Sequence, residues 1–355
     1  MAMAKHQVTE LKPQRGWRRL GSPKTGFRYV NARGEPVRAP AHLQRIQSLH
    51  IPPGWRDVRI SPSHKARLQA TGYDSKGRKQ YIYHPDYVAT QNRQKFARLL
   101  ELAEALPRMR ETTNAHLHET GLPREKVLAA VLRLINETYF RIGSERYARQ
   151  HRTFGITSLR KRHCRIEGNH LVFAFRGKHG VAQRRIVTDA LLVGIIAELL
   201  KLPGPYLFQY VDPEKGIQRV CEKAVNSYVR QVLHADCTAK DFRTFGGSLL
   251  AARILDGLGP PESDKDARRK IASCIRQVAE RLGNTPAVAR SSYIHPQVLD
   301  SFQAGRTLGA FQPRRRRLRR VDGRQSGHYP EELAFLALLR ECAANSGQDH
   351  TGTQG

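Results

Sequence analysis

The segment RLGNTPAVARSSYIHP, Arg281 to Pro296, sets one tyrosine among small polar residues instead of in an apolar stripe. Tyr293 is therefore either a packing residue at a helix end or a phenol placed to react as a nucleophile. Four other groups sit at element boundaries and carry donors that suit an anion. Arg141 follows Tyr139-Phe140 and precedes Ile142-Gly143, and Arg243 lies in KDFRTFGG between Phe242 and Phe245, three residues after Lys240. A guanidinium flanked by core aromatics is partly buried and requires an anionic partner. The structural version of that partner is a carboxylate of the chain itself, such as Glu137 or Asp241. Lys178, in FRGKHG, is by default a solvated hairpin lysine, and Asn284 is by default a helix-stop residue before Thr-Pro. Each residue alone has an ordinary structural explanation.

The elements that must position these groups are legible from local pattern. KDARRKIASCIRQVAERLG carries Ile271, Ile275, Val278 and Leu282 on one face and stops at Gly283, a good residue for a left-handed helix end. Thr285-Pro286 then restarts a helix as N-cap and first residue, so Tyr293 falls near the end of a short second helix with Asn284 in the turn between. REKVLAAVLRLINETYFRIG keeps apolar residues at helical spacing, which places Arg141 on a long helix between core residues. HCRIEGNHLVFAFRGKHGVAQRRIV reads as a three-stranded meander with Lys178 at the tip of its second turn. The longest apolar run, ALLVGIIAELLKL, follows the cap-like Thr188-Asp189 and is too short to span a bilayer, so it is a buried helix. The closing PEELAFLALLRECAA is amphipathic and is predicted to pack on the helical domain.

Upstream the texture differs. GFRYVNARGEPV, WRDVRISP and KARLQATGYDSKGRKQYIYHP are short alternating segments broken by Gly, Pro and Asn-Ala-Arg-Gly, with a short helix over Leu43–Leu49 between them. From Gln91 the period becomes helical, which sets a boundary near residues 86–92. The fold class is α+β: a small strand-rich domain over 1–90 and a larger, mainly helical domain over 91–355 that contains the meander.

Charge limits the partners. There are 61 Lys and Arg against 31 Asp and Glu, a formal net charge of +30. Such a field favours a polyanion, because every neutralised phosphate releases condensed counterions, although membrane surfaces and ribosomes attract basic chains too. The five cysteines, Cys164, Cys221, Cys237, Cys274 and Cys342, are scattered and form no CxxC pair. They read as reduced, buried thiols in a reducing compartment. The first residues hold no continuous apolar stretch, so the expectation is a soluble intracellular protein.

The order Arg141, Lys178, Lys240-x-x-Arg243, Asn284, Tyr293 resembles the type IB DNA topoisomerases, in the compact form shared by poxviruses and bacteria. The resemblance covers most of the chain, through GRKQYIYHP, YFRIGSERYARQ, FGITSLRKRH, FRGKHG, KDFRTFGG and GNTPAVARSSYI. It implies a strand-rich clamp domain and a helical catalytic domain. Tyr293 would be the nucleophile, Arg141 and Arg243 the arginines on the phosphate, Lys178 the general acid, and Lys240 the accompanying basic position of Lys240-x-x-Arg243. In viral and eukaryotic relatives histidine precedes Thr-Pro; here Asn284 stands there, which can donate a hydrogen bond but carries no proton to transfer. The implied partner is double-stranded DNA, bound by a monomer in a bacterial cytoplasm and its nucleoid, with no membrane. No ATP, other nucleotide or metal cofactor is implied, in keeping with the lack of a GxxxxGK[ST] loop or a two-metal acidic cluster. Lys76, Arg78 and Lys79, interleaved with Tyr81 and Tyr83, would hold phosphates while Gln80 and Tyr81 reach base edges. Tyr147, Arg160 and Arg162 would add contacts, and the run Arg314 to Arg320 is either a further phosphate contact or a solvated, unstructured arm. The alternatives are a tyrosine site-specific recombinase, where HxxR is typical in place of Lys240-x-x-Arg243, and a non-catalytic basic DNA-binding protein.

Overall fold

The computed structural model describes residues 16–311, 320–321, 324–325 and 327–348. The architecture is α+β, strand-rich first and helical afterwards. Two compact units meet in the chain between Gln94 and Lys95.

The first unit is built on an antiparallel sheet of β1 (Trp17–Ser22), β2 (Gly26–Val30), β3 (Arg56–Ile60), β4 (Leu68–Tyr73) and β5 (Lys79–Tyr83), in the order β2-β1-β3-β4-β5. Helix α1 (Pro40–Ser48) starts three residues before the expected Leu43, since Pro40 has its torsion preset for a first helical position. Its Ile46 packs with Trp17, Val58, Ile60 and Ala70 of the sheet to form a small separate core. β5 is an edge strand, and the turn leading into it is tied by Asp74 Oδ1, which accepts the amides of Lys76 and Arg78 at 2.9 Å each.

Helix α2 (Pro85–Leu117) contains the division between the units and opens the helical region. There follow α3 (Arg124–Thr138), α4 (Glu145–His151), the meander β6 (Cys164–Glu167), β7 (His170–Arg176) and β8 (Ala182–Thr188), and α5 (Ala190–Lys201). A hairpin of β9 (Gln209–Asp212) and β10 (Gly216–Arg219) leads into α6 (Glu222–Leu233), α7 (Ala239–Gly257), α8 (Asp264–Leu282), α9 (Pro286–Ser292) and α10 (Pro296–Gln303). The two-residue strands β11 (Arg320–Val321) and β12 (Arg324–Gln325) precede α11 (Pro330–Gln348). Helix α3 is the central element: its run from Val127 to Leu132 is wholly enclosed, and it packs against α5, α6 and α7. The meander has the order β6-β7-β8, and Asp189 caps α5 by accepting the amides of Leu191 and Leu192. Helix α11 buries Ala334, Phe335 and Leu338 and lies against α7.

Arg141 is not on a helix. Helix α3 ends at Thr138, whose hydroxyl turns back to Leu134 O at 2.6 Å, and Tyr139 takes the left-handed conformation at φ 57°. Apolar periodicity continues through the sequence of this stretch, but the aromatic pair serves a turn and not another helical face. Likewise the thiols are not uniformly buried: all five are free, Cys164, Cys237 and Cys274 are enclosed, and Cys221 is exposed at the start of α6. Arg314 to Arg319 lie outside the described residues. Among the described residues no helix is long and apolar enough to cross a membrane.

Candidate active site

The last carbonyls of any α-helix lack an intrahelical donor and carry its negative dipole end. In α8 this end becomes a cradle for cations. The helix stops at Gly283, at φ 62° and ψ 51°, where an added Cβ would lie 2.7 Å from Gln183 Nε2. Three consecutive carbonyls then each accept from a different arginine. Arg281 O takes Arg185 Nη2, Leu282 O takes Arg243 Nη2 at 2.8 Å, and Gly283 O takes Arg141 Nη2 at 3.1 Å. Arg141 also donates to Asn284 Oδ1. Three guanidiniums are thus gathered by neutral oxygens.

Arg243 is the most enclosed of the three, with only 4% of its surface exposed, on the first turns of α7. Its Nη1 donates to Tyr139 O, so the left-handed turn after α3 presents a carbonyl to it. The glycines of KDFRTFGG make room: a Cβ on Gly246 would sit 2.0 Å from the Tyr139 ring, and one on Gly247 would sit 2.6 Å from Tyr293 O. The carboxylates expected to pair with the arginines are engaged elsewhere. Asp241 accepts from the amide and hydroxyl of Thr238, both at 2.8 Å, and faces Arg98; Glu137 faces Arg133. Among the described residues no carboxylate forms an ion pair with Arg141, Arg185 or Arg243. Three buried donors there have no partner: Arg243 Nε, Arg185 Nε and Asn284 Nδ2. Buried donors are rarely left unpaired, and each costs about 1–3 kcal/mol unless something accepts from it.

Tyr293 ends α9, which begins with Thr285 Oγ1 accepting from Val288 N and with Pro286 at the first position. Ser248 of α7 fastens the segment, donating to Tyr293 O at 3.2 Å and accepting from His295 N at 2.9 Å. The Arg243 guanidinium carbon is 5.1 Å from the centre of the Tyr293 ring. Burial by itself raises the phenol, but the adjacent Arg243 charge, with Arg141 and Lys240, outweighs it and holds Tyr293 below its ordinary value of 10.0. Burial, then the nearby Arg141 charge, brings Arg243 down to about 10.

The structure therefore brings Arg141, Arg243, Asn284 and Tyr293 together. Lys178 lies on the exposed turn between β7 and β8 and lines one recess with Tyr139, Arg141, Arg185 and Arg243. Lys240 is exposed on the first turn of α7. Two residues at this site escaped the sequence reading. Arg185 is signalled only by strand alternation, which puts Gln183 and Arg185 on one face of β8. Lys95 has no local signal: its Nζ donates to Ser292 O at 3.2 Å, at the end of α9, and lies 4.1 Å from the centre of the Phe96 ring. Burial, then the charges of Lys240 and Arg98, brings Lys95 down to about 8.

The other basic candidates fall into separate settings. In the first unit, Arg78 and Gln80 are engaged by Asp74 Oδ2, at 2.7 Å and 3.0 Å, and the Arg78 hydrogen bond holds that carboxyl at about 2. Lys76 is exposed, Lys79 Nζ lies 5.8 Å from the exposed Tyr81 ring, and Tyr81 stacks on Tyr83 along the edge strand. In the second unit, Tyr147 is 57% exposed on α4, and Arg162 shares an open recess with Arg152, Arg176 and Arg184. Arg160 differs: it pairs with Glu145 at 2.9 Å and lies 3.7 Å above the Tyr206 ring.

The helical unit sets a tyrosine beside guanidiniums that no carboxylate neutralises among the described residues, an arrangement whose chemistry suits an anion. Comparison with known proteins narrows that chemistry. The family model of the eukaryotic DNA topoisomerase I catalytic core matches residues 76–319, and that of the bacterial DNA topoisomerase IB N-terminal domain matches residues 26–74. The DNA topoisomerase 1B of Acanthamoeba polyphaga mimivirus is 32% identical over 271 residues, covering 74% of this chain and 80% of its own. The DNA topoisomerase 1B of vaccinia virus (strain Copenhagen) is 25% identical over 243 residues, covering 66% and 72%. The chain belongs to the type IB DNA topoisomerase family, and it is an isomerase.

Proposed function

We propose that the protein relaxes supercoiled double-stranded DNA by cutting one strand through a 3′-phosphotyrosyl link, letting the free end rotate, and resealing. The phenolic oxygen of Tyr293 attacks the phosphorus and gives up its proton to water. The bond from phosphorus to the 5′-oxygen breaks, and Lys178 protonates the departing oxygen. In resealing, the 5′-hydroxyl attacks, its proton returns to Lys178, and the phenolate leaves and takes a proton from water. One phosphoester replaces another, so neither a nucleotide nor a metal is consumed. Arg141 and Arg243 hold the equatorial oxygens, whose charge grows in the transition state. Asn284 donates its Nδ2 hydrogen to one of them. The observation that carries this reading is the Arg243 guanidinium 5.1 Å from the Tyr293 ring, which favours the phenolate, beside buried donors that no carboxylate satisfies among the described residues.

Lys76, Lys79, Gln80, Tyr81 and Tyr83, with Arg78, make the first unit a DNA-holding clamp, and Tyr147, Arg162 and Lys240 extend the duplex contact over the catalytic unit. The enzyme acts as a monomer on DNA in the cytoplasm and its nucleoid. The decisive test is Tyr293→Phe in magnesium-free buffer containing EDTA. The wild type relaxes a plasmid there, and the variant binds DNA with similar affinity and relaxes none. Relaxation by the variant defeats the mechanism.

A further inference from the structure

The mechanism above uses two arginines, yet the end of α8 holds three. Arg185 projects from β8, donates Nη2 to Arg281 O, and lines the same recess as Arg141, Lys178 and Arg243. Its Nη1 donates to Arg184 O at 2.8 Å, within its own strand. Its Nε is buried and unpartnered, as are Arg243 Nε and Asn284 Nδ2. No carboxylate pairs with it among the described residues, and it adds its charge to those around Arg243. A guanidinium used only to tack the meander to α8 needs the carbonyl bond alone. It gains nothing from a second buried donor left unpaired.

We propose that Arg185 is a further catalytic residue, a third guanidinium that donates its Nε hydrogen to a non-bridging oxygen of the reacting phosphate. This rests on the function proposed above. The phosphate has two non-bridging oxygens, and the four groups Arg141, Arg185, Arg243 and Asn284 offer more donors than one of them accepts. Arg185 sits on the strand that leaves the Lys178 turn, so the same meander supplies both the proton donor and an oxygen-binding cation. The three anchors on residues 281, 282 and 283 fix the spacing of the guanidiniums with one piece of backbone.

The test measures single-turnover formation of the covalent adduct on a suicide duplex, with either an ordinary phosphate or a neutral methylphosphonate at the reacting position. Arg185→Ala and Arg185→Lys are compared with the wild type. On the ordinary phosphate both variants are expected to form adduct ~10–100-fold more slowly, at or below the ~10²–10³ that one preorganised donor supplies because the other guanidiniums remain, and lysine has no Nε hydrogen in that place. On at least one methylphosphonate diastereomer the ratio of wild type to variant shrinks toward one, since the oxygen that Arg185 serves no longer carries charge. A strut would slow both substrates by the same factor. Equal factors on both substrates, or wild-type rates in either variant, overturn the inference while leaving Tyr293 chemistry intact. Absence of any adduct in the wild type overturns the parent reading, and this inference with it.

Discussion

The helical unit contains two arginine clusters built from the same side chain and opposite in electrostatics. In one, Glu145 accepts from Arg160 at 2.9 Å and from Arg219 at 2.8 Å, and both guanidiniums sandwich the Tyr206 ring at 3.7 Å and 3.3 Å. In the other, Arg141, Arg185 and Arg243 hang on three neutral carbonyls at the end of α8. A carboxylate cancels charge and uses up donors, so the first cluster is a structural rivet. Neutral carbonyls orient a guanidinium without discharging it, so the second remains hungry for an anion. Burial of an arginine says little about its role; the charge of its acceptor says a great deal.

The contrast breaks most visibly through rate. Arg243→Ala is expected to slow single-turnover DNA cleavage by ~10²–10³-fold, the usual cost of a transition-state donor, with binding affinity nearly preserved. Arg160→Ala should leave the cleavage rate within about threefold, because its charge is already met by Glu145. Equal losses in the two variants would erase the distinction.

Acid separates the clusters next. His295, packed near Lys95, is brought from 6.5 to about 4 by burial and then by the Lys95 charge. Its folded value lies below its unfolded one, so the unfolded chain binds the proton first and stability falls as pH drops from 6.5 toward 4. The expected loss from this one residue at pH 5 is about 2 kcal/mol. Glu145 works in a lower window: burial opposes its ionisation, but Arg160 and Arg219 win and hold it at about 2. That contribution persists above the ordinary 4.5 and is lost as pH falls through about 2. Urea titrations from pH 7 to pH 4 should show the first window, and His295→Asn, which retains an N-cap acceptor, should flatten it. Part of the slope stays with His163, which burial also holds at about 4.

The smallest effect is expected at the rivet itself. Glu145→Gln should cost about 1–2 kcal/mol in denaturant unfolding, reduced from the value for a fully buried pair because Glu145 keeps contact with solvent. Cleavage rate per bound complex should not change. A rate loss larger than that of Arg243→Ala would show that the clusters act as one.

Much of this was legible before folding. Local signals placed the Gly283 stop, the Thr285-Pro286 start and the meander that carries Lys178, because each depends on torsions and capping within a few residues. Chain order picked out Arg141, Lys178, Arg243, Asn284 and Tyr293. Arg141 was misplaced onto a helix because its aromatic neighbours continue the apolar period, while a left-handed Tyr139 breaks the backbone. Arg185 and Lys95 stayed hidden, since their partners lie 96 and 197 residues away.

The sequence by itself determined many of the elements, their order and the large positive charge, since these follow from short-range preferences and residue type, while the resemblance supplied the five candidate residues. Only tertiary structure decided which arginines are neutralised and which are kept free. Glu145 folds against Arg160 and Arg219, whereas Asp241 is claimed by the cap of its own helix and the α8 carbonyls take its place beside Arg243. Charge neutralisation depends on distances of a few ångströms between groups far apart in the chain, and no local pattern encodes those distances.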